Sequence, residues 1–107
     1  MNDKYIMCSA IYYDDNKEHP HQPLNIKTGF VICGRRHHNC FATVAILSDI
    51  NYELKKLNPI QGFLTNDDYF VNREEAFIIA KNANQIKPAT RLILFKNVNH
   101  LFSENIF

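Results

Sequence analysis

The chain has 107 residues, 46% of them hydrophobic and 21% charged, with a formal net charge of +1 at pH 7. The length and composition predict one globular domain over residues 1–107. The small net charge excludes the strongly positive surface that bulk nucleic-acid binding requires. No stretch reaches the roughly 18 consecutive apolar residues of a transmembrane helix. Because there are three cysteines and no signal-peptide pattern, we expect a cytoplasmic protein with no membrane partner.

The first half of the chain predicts two strands and a helix. Residues 5–13 are rich in β-forming side chains, and the polar run 14–18 ends this strand. Pro20 and Pro23 then predict a loop. Residues 26–33 form the second predicted strand, which a loop of this length joins to the first as an antiparallel neighbour. Apolar spacing predicts a helix over about 38–49, with an interrupted extension to residue 57.

The second half predicts a hairpin, a helix and a last strand. Residues 60–65 and 69–71 flank the turn triplet 66–68. Asn72 and Glu75 form a capping box for a helix that closes at Lys87-Pro88. The predicted last strand is 91–95. The order β-β-α-β-β-α-β predicts an α+β fold: a mostly antiparallel sheet with two helices packed on one face.

Residues 34–40, with the sequence GRRHHNC, are the strongest candidate for a functional site. Gly34 permits a positive φ or a close approach of the backbone to a ligand, and the first N–H groups of the following helix favour an anion. The side chains offered to a phosphate or carboxylate are those of Arg35, Arg36, His37, His38 and Asn39. The alternative interpretation is a solvated cap on an ordinary helix.

Residues elsewhere in the chain could complete this site. Arg73 begins the second predicted helix, Gln61 and Phe63 offer an amide and a ring to a base, and Ser103 and Glu104 could contact a ribose. Each has a structural alternative: Arg73 could pair with a surface carboxylate, Phe63 could belong to the core, and residues 103–104 could be frayed surface.

Catalytic and metal-binding roles are open for the same turn. Cys40 could act as a nucleophile beside His37, because a helix N-terminus and neighbouring cations lower a thiol pKa. His37 or His38 could serve as acid or base in a phosphohydrolase. Cys33, His37 and Cys40 could ligate zinc, but their spacing is not a standard one. We therefore expect no metal and no cofactor, with Cys33 and Cys40 facing the core.

Three ordered motifs carry a resemblance to a known family: GRRHHNC at 34–40, then GF at 62–63 with FVNREEA at 70–76 and NQ at 84–85, then LFSEN at 101–105. This pattern resembles small phage and prophage proteins with the motifs G-x-R-H-x-D-C/I, GF…FV-x-R-x-EA…GQ and L-x-SED. Asn39, Asn84 and Asn105 replace the family's Asp, Gly and Asp. If the first Asp is a catalytic base in relatives, this chain would bind without turnover.

The phage resemblance implies an accessory factor acting in the host cytoplasm. Such factors include proteins that sequester cyclic nucleotide or ADP-ribose signals of bacterial immunity, which makes a nucleotide or another small phosphorylated ligand the expected partner. The alternatives are a hydrolase acting on a phosphorylated or ADP-ribose-like substrate through His37, and a protein that inhibits a host factor. The apolar tail segment, residues 101–107, must be covered, by its own core or by a second subunit, and we expect a homo-oligomer.

Overall fold

A computed structural model describes residues 3–50, 52–88 and 100–107. The strand predicted at 91–95 lies outside these residues. Within the described part of the chain, no helix is both long and apolar enough to cross a membrane.

A four-stranded antiparallel sheet forms the centre of the fold. Its strands are β1 (Ile6–Tyr13), β2 (Phe30–Gly34), β3 (Ile60–Thr65) and β4 (Phe70–Asn72), in the spatial order β2-β1-β3-β4. Ile11 pairs with Ile32, and Ser9 pairs with Phe63. The predicted α+β class, antiparallel pairing and hairpin are confirmed. The second strand begins at Phe30 rather than residue 26, because Gly29 bonds to the carbonyl of Lys17 and the preceding residues belong to the loop.

Two α-helices follow the strands in the predicted order. Helix α1 (His37–Ile50) is followed by a 3-10 turn at Tyr52–Lys56, and α2 covers Arg73–Asn82. Asn72 caps α2 through the full capping box with Glu75. Helix α2 ends at Asn82, before the predicted Lys87, because Asn84 takes a left-handed conformation with φ 57°.

Both helices cover the same face of the sheet, as predicted. Helix α1 packs on β1 and β2, where Ile11, Cys40 and Val44 share a buried cluster. Helix α2 packs on β3 and β4, where Phe63 lies at the centre of a second cluster. Because Ser9 pairs with Phe63 and lies two residues from Ile11, the two clusters lie on one face.

The loop between β1 and β2 covers part of the opposite face and the β4 edge. The Tyr12 hydroxyl donates to the carbonyl of Thr28 at 2.6 Å, and the Tyr12 ring lies 5.7 Å from that of Phe70. The Asn25 amide accepts from the N–H of Phe70 at 2.9 Å and donates to its carbonyl at 2.7 Å. One side chain therefore satisfies both backbone groups of Phe70 at the sheet edge.

The start of β1 is held by a second amide of the same kind. A bulge lies between Ile6 and Cys8. Gln85, just after α2, accepts from the N–H of Ile6 at 2.8 Å and donates to its carbonyl at 2.9 Å. The segment that ends α2 is thereby fastened to the sheet.

The tail segment folds back on its own core. Leu101 is fully buried in the cluster around Phe63, and Ile106 and Phe107 pack against the same cluster. The Leu101 N–H donates to the carbonyl of Arg73 at 3.0 Å. Of the two ways to cover the tail, the structure shows the intramolecular one, so the tail no longer argues for an oligomer.

Candidate functional site

The turn before α1 is fixed by its own polar groups. The Asn39 carbonyl oxygen Oδ1 accepts from the N–H of Arg36 at 3.1 Å, while the backbone oxygen of Arg36 accepts from Asn39 and Cys40 at 3.0 and 3.2 Å. Only an acceptor oxygen is needed at position 39. The Asp found there in the resembling family would accept the same bond, so Asn39 fits a capping role without any catalytic carboxylate.

Gly34 lies close against the first turn of α1, where a side chain would be crowded. Its φ is outside the positive range, in contrast to that of Gly29. A Cβ at Gly34 would lie 3.0 Å from the Cβ of Asn39 and 3.2 Å from Sγ of Cys40. The predicted positive φ of Gly34 is wrong, and the first turn of α1 fills the space beside this residue.

His37 anchors the start of α1 to the sheet and to the tail. Its Nε2 lies 2.8 Å from the carbonyl of Gly62, its backbone N–H donates to Oγ of Ser103 at 3.3 Å, and its ring meets Phe63 edge-on at 5.0 Å. The residue is only 7% exposed.

The environment of His37 favours a neutral imidazole. Burial lowers the pKa of His37, the carbonyl of Gly62 opposes this, the charge of Arg73 lowers it further and Glu104 raises it. A neutral ring can donate from Nε2 to Gly62. His37 is therefore a structural donor near neutral pH, and it presents no exposed imidazolium to a ligand.

Arg73 and Arg36 hold the two ends of the tail segment. Arg73 donates through Nη1 to the carbonyl of Leu101 at 2.8 Å and through Nη2 to Oε1 of Gln61 at 2.5 Å, with its guanidinium 4.5 Å from the Phe102 ring centre. Arg36 donates through Nη2 to the backbone oxygen of Phe107 at 2.5 Å. Burial lowers the pKa of Arg73, and Glu104 opposes the shift.

One donor at this site lacks an acceptor. Among the described residues, Nε of Arg36 is the buried side-chain nitrogen or oxygen without a hydrogen-bond partner. Arg35 and His38, on either side of Arg36 and His37, are exposed. The turn thus places the buried, unsatisfied N–H of the Arg36 guanidinium next to the exposed cation of Arg35. An anionic oxygen would be stabilised in this environment.

The structure brings most of the predicted site residues around the tail segment. Arg36 and His37 contact it directly, Arg73 joins it to Gln61, and Ser103 and Glu104 belong to it. Phe63 is fully buried and cannot stack on a ligand at the surface, so its core alternative is confirmed. The predicted pairing of Arg73 with a surface carboxylate is replaced by bonds to Leu101 and Gln61.

Cys40 and Cys33 lie in different environments, one buried and one exposed. Cys40 is fully buried, its Sγ lies 3.6 Å from the Ser9 carbonyl oxygen, and burial raises its pKa to about 11, so the expected lowering is wrong. Cys33 is exposed rather than in the core, because its strand position faces away from α1. Within the described ranges, no three His, Cys, Asp or Glu side chains are grouped to hold a metal ion.

The sequence interpretation missed the part that Lys87 and Phe107 play. Lys87 donates through Nζ to the backbone oxygen of Phe107 at 2.7 Å, beside Arg36. The apolar sequence of the tail was the available signal for this contact. A tail that is buried must place its backbone carbonyl groups where donors can reach them.

Comparison with known protein families gives a match over almost the whole chain. The sequence profile of the family described as "Phage T4 y16D protein" matches residues 5–107. The searches of curated proteins and of solved structures gave no match.

Proposed function

The chain belongs to the Phage T4 y16D protein family, and on that premise we propose that it is a phage accessory protein that binds and sequesters a small phosphorylated ligand. The proposed ligand class is a nucleotide, such as an immune signal of the host, and the proposed place of action is the host cytoplasm. The proposed contact is made by Arg36, with Arg35 and His38 beside it.

The observation that carries this proposal is the buried Nε of Arg36, which has no acceptor among the described residues. Leaving a buried charged donor unsatisfied costs about 1–3 kcal/mol or more. A phosphate oxygen would satisfy it, because an anionic oxygen forms a strong, charge-assisted hydrogen bond with a guanidinium N–H. A ligand that takes this position recovers the energy that the free protein forgoes.

The same geometry favours holding a ligand over cleaving it. His37 is buried and neutral, and its Nε2 is directed at Gly62. The pKa of the Cys40 thiol is raised to about 11, so it is protonated and a poor nucleophile. Neither group supports the hydrolase alternative.

Isothermal titration calorimetry with pyrophosphate, cyclic dinucleotides and ADP-ribose tests the proposal. Arg36→Ala should weaken binding of whichever ligand binds by ten- to a hundredfold, the equivalent of about 1.5–3 kcal/mol. Lys17→Ala, which removes one exposed charge from the distant β1–β2 loop, is the matched control and should leave affinity within about twofold. Circular dichroism verifies that each variant is folded.

Two outcomes would overturn the proposal. The first is the absence of binding by every probe at millimolar concentration. The second is equal affinity of the wild type and Arg36→Ala. Mass spectrometry of the ligand recovered after binding separates the two activities, because a sequestering protein returns it unchanged and a hydrolase returns its products.

A further inference from the structure

Two cysteines lie next to each other on the side of the sheet opposite the helices. Ile11 of β1 packs under α1, and successive side chains of a strand alternate between the two faces, so Cys8 and Ala10 lie on the opposite face. Cys33 of β2 pairs with Ala10 and shares that face. Cys8 and Cys33 are therefore diagonal neighbours on adjacent strands. Cys33 is exposed, and Cys8 is half-buried.

The two thiols are joined by a hydrogen bond, which the Cys33 thiol donates to the sulfur of Cys8. Ala10, directly opposite Cys33, contributes only a methyl group beside them. Diagonal neighbours in a sheet lie about 7–8 Å apart. A disulfide requires its two Cα atoms to lie within about 4.4–6.8 Å of each other, so these thiols can meet without being bridged.

The hydrogen bond makes the two thiols chemically unequal. It lowers the pKa of Cys8, whereas burial and the charge of Cys40 oppose this shift. It raises the pKa of Cys33, and burial and the charges of Cys8 and Asp68 act in the same direction. The thiolate of the pair is therefore carried by Cys8, and Cys33 keeps its proton. Because the thiolate is the nucleophile, the less exposed thiol is the more reactive of the two.

We propose that Cys8 is a modification site that reacts with low-molecular-weight disulfides, such as that of glutathione, and that Cys33 positions and stabilises its thiolate. The Cys8 sulfur attacks one sulfur of the reagent, forms a new S–S bond to it and is thereby oxidised. The S–S bond of the reagent breaks, and its other half leaves as a reduced thiolate. The proton that Cys8 gave up to water is balanced by the proton that this leaving thiolate takes up. This inference does not depend on the proposed ligand.

Cys40 is the internal reference for this reaction. It is fully buried, and burial raises its pKa to about 11. Trypsin, which cuts after Lys and Arg, places each cysteine in its own peptide, over residues 5–17, 28–35 and 37–55. One digest therefore gives a separate rate for each thiol.

Timed exposure of the folded protein to glutathione disulfide tests the proposal, with N-ethylmaleimide to stop the reaction and mass spectrometry of the tryptic peptides. At about pH 7.5 Cys8 should acquire the mixed disulfide at least about threefold faster than Cys33, although Cys33 is the more exposed thiol. The Cys40 peptide should stay unmodified. The same experiment over a series of pH values gives the midpoint of each rate profile, which reports the pKa of the reacting thiol rather than its accessibility.

Two variants of Cys33 distinguish hydrogen-bond donation from packing. In Cys33→Ala the Cys8 thiolate loses its donor, so the midpoint for Cys8 should move to higher pH and its rate at about pH 7 should fall about threefold. Cys33→Ser keeps a hydroxyl donor and should restore most of both values. Circular dichroism should show both variants folded, because Cys33 is exposed.

The inference fails if Cys33 is modified faster than Cys8 in the wild type, since exposure alone would then decide the reactivity. An unchanged pH midpoint for Cys8 in Cys33→Ala would show that Cys33 is not its donor, and would also overturn the inference. A bridge between Cys8 and Cys33 as the main product would contradict their diagonal spacing and the role assigned to Cys33.

Discussion

Replacing Gln85 by Met should destabilise the fold by about 2–3 kcal/mol. The substitution keeps the length of the side chain but removes the bond accepted from the Ile6 N–H at 2.8 Å and the bond donated to its carbonyl at 2.9 Å. Each bond contributes about 0.5–1.5 kcal/mol, and the cost rises where the abandoned groups cannot reach water. Ile6 is only 2% exposed, which supports the upper half of that range.

Urea denaturation followed by far-ultraviolet circular dichroism measures this loss, since the chain has no Trp for fluorescence. Gln22→Met is the matched control: the Gln22 amide accepts one bond from the Val31 N–H of β2, at 2.9 Å, and its loss should cost about 1 kcal/mol. If Gln85→Met costs no more than Gln22→Met, then the paired amide bonds do not hold β1 and the reasoning fails.

Three further predictions follow from single residues. Lowering the pH through about 6.5 should reduce the free energy of unfolding more in the wild type than in His37→Gln, because burial lowers the pKa of His37 and the unfolded chain takes up the proton first. The difference cannot exceed about 1.4 kcal/mol per pH unit, and parallel urea titrations of the two proteins would contradict it. Asn84→Ala should cost about 1 kcal/mol and Asn84→Gly should cost less, because φ is 57°; melting temperatures in the opposite order would refute this. Iodoacetamide at about pH 7.5 should spare Cys40 until urea unfolds the protein, because its buried thiol has a pKa of about 11, and equal alkylation rates in both states, measured by mass spectrometry, would disprove it.

Elements defined by local signals were predictable from the sequence. The start of α2 needs only Asn72 and Glu75, which bond to each other's backbone within one turn. The β3–β4 hairpin needs only its turn residues, of which Asp68 takes a positive φ of 68°. These interactions span a few residues, so the pattern contains all the information required.

Elements defined by distant contacts were not predictable in the same way. The end of α2 depends on Asn84, whose left-handed conformation is not dictated by an isolated Asn. The end predicted at Lys87 depended on Pro88, the residue after it, and a proline beyond a helix is a weaker signal. Gln85 then bonds to Ile6, 79 residues away, and no local pattern indicates that pairing.

At the candidate site, the contacts that the structure shows differ from those expected for one physical reason. The sequence shows which side chains carry charge, but not which donors are already used. Arg36, Arg73 and the N–H of His37 all face acceptors supplied by the tail segment. Because the charged residues are adjacent in the sequence, we expected an open anion site. The fold instead uses most of their N–H donors to bind its own backbone and leaves Nε of Arg36 unsatisfied.

The amide side chains at the sheet margins also bear on aggregation. Asn25 occupies both backbone groups of Phe70 on the edge strand β4, and Gln22 occupies the N–H of Val31 on the opposite edge strand β2. Exposed strand edges are templates onto which further chains add in register, and blocking their hydrogen-bonding groups removes that route. The edge strands β4 and β2 are therefore each partly blocked against pairing with another chain at Phe70 and Val31.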